Sequence, residues 1–232
     1  MWWLRALAVV ILSGIPTSSF GDGAEAWQAY LKGDYAAAET ELRALAETGD
    51  ADAQYGLGTA YCDGLAVRRD YRLAAEWYEK AAQQGHTQAQ FNLGFLHYQG
   101  AGEGAVALPR DPGQAARWLG AAAEAGNPMA AQLLGRLYSR GRGMEADEAA
   151  ALRWSLRAAD HGLAGGQFDA GVLLGNRRHD VRAWVDAYKW LLLAARSGHP
   201  AAAENLEIVG KRLNVKEIQE AEAAAAAWTP DG

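Results

Sequence analysis

Groups able to do covalent or acid–base chemistry are sparse in this chain of 232 residues. Beyond position 21 there are three serines, Ser139, Ser155 and Ser197. None lies in Ser-x-x-Lys or Gly-x-Ser-x-Gly, the settings that activate a serine for acyl transfer. The five histidines show no metal-ligand spacing and no His-Glu-x-x-His, so no metal site is expected. Gly100-Ala-Gly-Glu-Gly104 has the glycines of a phosphate loop but not the Lys-Ser/Thr that must follow, and no cofactor is expected. Cys62 is the single cysteine, which leaves no internal disulfide, and at the end of a helix it reads as a small semi-buried residue. What remains is binding chemistry: nine Trp, nine Tyr, four Phe and scattered Arg, the types that anchor protein interfaces.

Such side chains need a rigid support, and the composition says which kind. The chain holds 51 Ala and 27 Gly. Ala is the best helix former and is depleted in strands, so closely packed helices are expected and sheet is not. A net charge of −6 with no Lys/Arg block argues against a nucleic-acid partner. No run of apolar residues is long enough to cross a bilayer. Residues 1–21 read as a signal peptide: Arg5 in a basic start, an apolar stretch from Ala6 to Ile15, and small residues ending at Gly21 before Asp22. The expectation is an exported chain, periplasmic or secreted after cleavage.

Self-similarity organises the rest. Leu57-Gly58 recurs as Leu93-Gly94, Leu134-Gly135 and, weakly, Ala170-Gly171, at intervals of 36, 41 and 36 residues. Trp77 recurs as Trp118, Trp154 and Trp190, and Gly85 as Gly126, Gly162 and Gly198, both at 41, 36 and 36. An Ala stands three residues before each Trp, and an Asp seven before the first three; the fourth has Ala183 there. Each unit reads as two helices. Asp52 to Asp63 carries Ala53, Leu57, Ala60 and Tyr61 on one face and stops at Gly64. The second starts near Asp70, a capping side chain, carries Ala74, Trp77, Tyr78, Ala81 and Ala82 on one stripe, and ends at Gly85. One such hairpin cannot bury its own apolar face; stacking does, which gives an all-α solenoid. Residues 22–50 read as a degenerate first unit, with a second helix starting at Gly33-Asp34-Tyr35. Residues 51–199 hold four repeats, and 200–232 hold capping helices: Pro200 to Leu213, then Val215 to Trp228 behind an Asn214…Glu217 capping box.

Three stretches carry a resemblance: AQYGLGTAYCDGLAVRRDYRLAAEWYEKAAQQGH from Ala53, AQFNLGFLHYQGAG…RDPGQAARWLGAAAEAGN, and AQLLGRLYSRGRGMEADEAAALRWSLRAADHG. They resemble the Sel-one-like repeat (SLR), a relative of the tetratricopeptide repeat. The resemblance implies a right-handed superhelix of antiparallel helix pairs and work as an adaptor, many bacterial relatives being exported and binding proteins in the envelope. His97 stands where the repeat has Tyr, Glu103 to Leu108 lengthens one loop, and the fourth unit has Asn176-Arg-Arg-His179 in place of loop glycines. A cysteine-rich branch of the family has paired Cys in each repeat; with Cys62 alone, nothing particular to that branch is transferred.

In the tetratricopeptide fold the first helix of each pair lines the concave side. Transferred here, that phase puts Tyr55, Phe91, Phe95, Tyr98, Gln132, Arg136 and Phe168 on a partner-binding groove for a protein or peptide. An alternative use of the aromatic ahead of Leu-Gly is packing against the neighbouring unit. Arg68-Arg69, Arg140 with Arg142, and Arg177-Arg178 fall in comparable loops, as a solvated edge or as a basic ridge for an acidic partner. The leading expectation is a non-enzymatic interaction module. The second is an envelope enzyme or a glycan- or peptidoglycan-binding protein, since concave aromatics can also stack on sugars.

Overall fold

The computed structural model describes residues 28–29, 32–64, 67–142 and 144–230; the expected leader at 1–21 lies outside them. Among the described residues there are eleven α-helices and no strand beyond a single bridge, Ala101 to Leu108. None of these helices is long and apolar enough to cross a membrane. The helices are α1 (Tyr35–Thr48), α2 (Ala51–Asp63), α3 (Tyr71–Gln83), α4 (Thr87–Gln99), α5 (Pro112–Glu124), α6 (Pro128–Arg140), α7 (Glu148–Asp160), α8 (Ala164–Gly175), α9 (Val181–Arg196), α10 (Ala202–Gly210) and α11 (Val215–Ala227). Two compact units divide them, Met1–Trp118 and Leu119–Gly232. Within the first, α1 packs on α2, α2 on α3 and α3 on α4; within the second, each helix from α6 to α9 packs on the next, and α11 packs on α9.

Helix ends follow the side chains that satisfy free backbone groups. Asp50, not Asp52, caps α2, its carboxylate accepting from Ala53 N at 2.7 Å, so the helix starts at Ala51. Asp52 is thereby freed for another bond, described below. Asp70 caps α3 through Arg72 N and Leu73 N, and Asp147 caps α7 through Ala150 N. In the fourth repeat Ala183 is not the start: Asp180 caps α9 three residues earlier and lengthens it to 16 residues. The last pair is shorter than its pattern, α10 running only from Ala202 to Gly210, while Asn214 and Glu217 form the full capping box of α11. Gly64 and Gly141 end α2 and α6 in left-handed conformation, at φ of 67° and 60°.

The recurring Leu-Gly and Trp positions meet inside each pair. Leu57, Leu93 and Leu134 are buried, and so are the alanines three before each Trp. A Cβ on Gly58 would stand 2.7 Å from the Tyr78 ring; one on Gly135 would stand 2.9 Å from Ser155 Oγ; one on Gly171, 2.7 Å from Leu191. Tyr78, Ser155 and Leu191 each follow the repeat Trp. The glycine thus admits the backbone of the second helix where any side chain would hold it off. Trp118, Trp154 and Trp190 are buried and Trp77 half-buried. Each carries a cation over its ring: Lys80 Nζ lies 3.6 Å from the Trp77 centroid, Lys189 Nζ 4.0 Å from Trp190, and Arg117 4.6 Å from Trp118, while Arg153 and Arg157 flank Trp154.

The lengthened loop is also ordered by packing. A short 3-10 turn, Gly104–Val106, and the backbone bonds between Ala101 and Leu108 fold it back. Gly102, at φ 77°, lies against the Tyr71 ring, and Leu108 joins the core of the first unit.

Two glycine substitutions separate close approach from helix propensity. Gly58→Ala should destabilise the chain by about 1–3 kcal/mol, because the Tyr78 ring must move. Gly120→Ala, whose nearest neighbour is Leu134 at 3.9 Å, should instead be neutral or stabilise by up to about 1 kcal/mol. Urea midpoints of the two variants check this, and equal shifts would remove the role assigned to the glycine.

Candidate partner-binding surface

The first helices, α2, α4, α6 and α8, carry the seven residues expected on the groove, and the structure treats them unequally. Tyr55 and Phe91 are buried, at 1% and 4% exposure, which corrects their assignment to an open surface. The Tyr55 ring stacks on His86 with centroids 4.6 Å apart and meets Tyr78 at 5.7 Å, so packing between consecutive units consumes it. Phe91 stacks on Phe95 at 6.0 Å, and Phe95 and Tyr98, further along α4, are half-buried.

In the second unit Gln132, Arg136 and Phe168 are also half-buried. Phe168 repeats the part played by Tyr55, stacking on His199 at 4.1 Å; each aromatic precedes its histidine by 31 residues. Arg136 holds Asp169 in a bidentate pair, Nε donating to Oδ2 at 2.7 Å and Nη2 to Oδ1 at 3.3 Å. Gln132 Nε2 donates to the same Oδ2 at 3.3 Å. Asp169 was not among the residues singled out from the sequence: it lies 33 residues from Arg136, and no local pattern links them. The outcome is a guanidinium fixed in direction and largely neutralised, beside a stacked ring pair.

Other residues serve the joints between units. His86 caps α4, its Nδ1 accepting from Ala89 N at 3.1 Å, while Nε2 faces Asp52 Oδ1 at 3.2 Å. An acceptor Nδ1 places the proton on Nε2, directed at the carboxylate. Burial draws His86 below the ordinary imidazole value against the pull of Asp52, and burial raises Asp52 against the pull of His86. Gln54 Nε2 donates to Ala46 O and Gln90 Nε2 to Ala82 O, both at 3.1 Å, each reaching back to the end of the preceding second helix. Burial pushes the Cys62 thiol and the Tyr55 hydroxyl up to about 12 and Tyr78 well above its usual value. At neutral pH all three keep their protons, and Cys62 is a core group, not a thiolate nucleophile. Of the loop arginines, Arg69 donates to Asp63 O at 2.8 Å, Arg110 to Gln99 O at 3.4 Å and Arg212 to Gly175 O at 2.7 Å. These close the carbonyl ends of first helices, where a cation is favoured; Arg68, Arg140, Arg142, Arg177 and Arg178 are exposed.

Consecutive helix pairs joined by recurring glycine contacts and inter-repeat side-chain bonds define a helix-pair repeat protein of the α-solenoid class. The model of the Sel1 repeat matches four times, over residues 51–86, 87–127, 128–163 and 170–199, and the chain belongs to that family. A crystal structure of a Sel1 repeat protein from Oxalobacter formigenes superposes with a TM-score of 0.69 and 25% identity, covering 89% of this chain and 85% of that one. Two Arabidopsis thaliana proteins, the ERAD-associated E3 ubiquitin-protein ligase components HRD3A and HRD3B, are each 43% identical over 56 residues. Those matches take in 24% of this chain and only 8% and 9% of the plant proteins.

The His86 geometry sets a pH dependence. A histidine whose folded-state pKa is lowered contributes stability that is complete above its unfolded value of about 6.5 and is lost as pH falls through the folded value. Asp52, raised by burial, acts in the opposite sense and in a more acidic window. Asn127 occupies the equivalent position and caps α6 through Ala130 N at 2.9 Å, so His86→Asn keeps the cap and removes the titration. Its stability curve should be flatter than wild type as pH falls below about 6.5. His97 and His199, both also lowered by burial, add slope of the same sign. Denaturant titrations across that range check it; an unchanged slope would show that His86 does not titrate there.

Proposed function

We propose that this chain is an exported, non-enzymatic interaction module of the cell envelope, periplasmic or secreted, that binds a partner protein or peptide on the first helices of its repeats. The observation that carries this reading is the fixing of half-open side chains: Asp169 orients Arg136 and Gln132, and His199 backs Phe168. Side chains held in place before contact lose little conformational freedom on binding, and Arg and aromatics are effective interface anchors. Phe95 and Tyr98 offer comparable partly open rings in the first unit. The two plant relatives are named as components of a ligase, which agrees with a repeat used between proteins; their ligase association is not transferred. Export rests on the layout of residues 1–21.

Three measurements test this. N-terminal sequencing of the chain recovered from the envelope or medium should begin near Asp22; recovery of the full chain from the cytoplasm would remove the export reading. Cross-linking the processed chain in envelope extract, with purified peptidoglycan as a parallel arm, identifies the partner. Phe95→Ala and Arg136→Ala should then each weaken that partner at least about tenfold while leaving the helical circular dichroism unchanged. Undiminished binding by both would overturn the surface, and retention on peptidoglycan alone would favour a glycan-binding protein.

A further inference from the structure

The fourth repeat has Asn176-Arg177-Arg178-His179 in place of loop glycines, and the structure braces that loop from two sides. Arg177 N donates to Leu174 O at 3.2 Å, and the Trp184 indole Nε1 donates to Arg177 O at 2.8 Å. Arg212, from the segment between α10 and α11, donates through Nη1 to Gly175 O at 2.7 Å and lies 5.5 Å from the Trp184 ring centroid. His179 stands at φ 59°, the one non-glycine residue with positive φ among those described. Such a conformation persists only where the surroundings impose it. Yet the side chains of 176–179 are all exposed. The loop is fixed in its backbone and open in its side chains.

Arg177, Arg178 and Arg212 thus share one edge of the second unit, and among the described residues no carboxylate pairs with any of them. The carboxylates of the adjoining segments are engaged elsewhere. Asp180 caps α9 through Ala183 N at 2.9 Å, and Glu217 closes the capping box of α11. Glu207 pairs with Lys211, and Glu220 with Arg182, whose second partner is Asp186 at 3.6 Å. The loop between α6 and α7 differs: its exposed Arg140 and Arg142 share the segment with exposed Glu145 and Glu148. Three guanidinium groups without a counter-charge, on a chain of net charge −6, reverse the sign locally.

We propose that the loop edge carrying Arg177, Arg178 and Arg212 binds a carboxylate-rich peptide segment of a protein partner, as a contact separate from the first-helix surface. The planar fork of arginine matches a carboxylate in two parallel bonds, and opposite charge speeds encounter. A backbone already braced by Trp184 and Arg212 has little freedom to lose on binding. Nucleic acid fits less well. Its backbone calls for a longer basic stripe, and the ring that braces the loop already carries Arg212 over it.

Fluorescence anisotropy of a labelled octaglutamate peptide, titrated with the purified chain at about 50 and 300 mM salt, tests this. Saturable binding is expected at the lower salt and should weaken at the higher, because exposed charges are screened. Arg177→Gln/Arg178→Gln should weaken it by about fivefold or more, and Arg177→Lys/Arg178→Lys by less, since lysine keeps the charge and loses the fork. Arg140→Gln/Arg142→Gln should change it by less than about twofold. All three variants alter exposed loop side chains, and circular dichroism confirms that the helices remain. Three results would overturn the edge: no saturable binding by wild type, unchanged affinity of Arg177→Gln/Arg178→Gln, or an equal loss in Arg140→Gln/Arg142→Gln, which would reduce the effect to total charge. Tighter binding of a thymidine octanucleotide would reassign it to nucleic acid. None of these outcomes depends on Phe95 or Arg136, so the first-helix surface stands or falls separately.

Discussion

Everything in this structure depends on how closely the two helices of a pair approach at the signature glycine. With Gly58, Gly135 and Gly171 admitting Tyr78, Ser155 and Leu191, the helix axes close to a distance at which alanines fill the remaining contact. A core made of such contacts buries little area per residue, so large rings must supply the rest. That is why Tyr55, Tyr78, Trp118 and Trp190 are buried among alanines. The cations above the tryptophans follow from the same geometry. A ring that is pressed between helices still reaches the surface at one face, and a nearby Lys or Arg covers that face.

Polar groups do the complementary work of joining one pair to the next. Gln54 and Gln90 reach back to the carbonyl end of the preceding helix. The histidine after the closing glycine stacks on the aromatic of the preceding first helix in both units, at His86 and at His199. These bonds are directional where apolar packing is not, so they set the register in which pairs stack. They also decide which side chains are left to face outward. Tyr55, two residues before Leu57-Gly58, is spent on the joint, whereas Phe95 and Arg136 on later first helices keep an open side.

The adaptable positions of this chain are those that neither the glycine contact nor the joint requires. In the second unit Gln132, Arg136 and Asp169 show how such positions become fixed: an ion pair between neighbouring first helices holds the guanidinium in one direction. The charge of Arg136 is thereby largely cancelled, so on the proposed surface it would contribute geometry more than attraction.

The amino-acid sequence alone determined the helix-pair repeat, its phase and most helix ends, because these rest on local rules. Small residues at contact spacing, a capping carboxylate at Asp70, Asp147 or Asn214, and a closing glycine all act within a few residues of where they stand. The same rules left Asp50 and Asp180 unread: each caps its helix, Asp50 one residue before Ala51 and Asp180 three residues before the Ala183 position. Tertiary structure decided which aromatics are surface and which are core. Tyr55 and Phe95 are both aromatics of a first helix, but one is buried against the His86 ring and the other keeps an open side. It also decided that Arg136 is paired and that Asp52 meets His86. Those partners come from different helices brought together only by stacking, a relation between distant residues that no local spacing encodes.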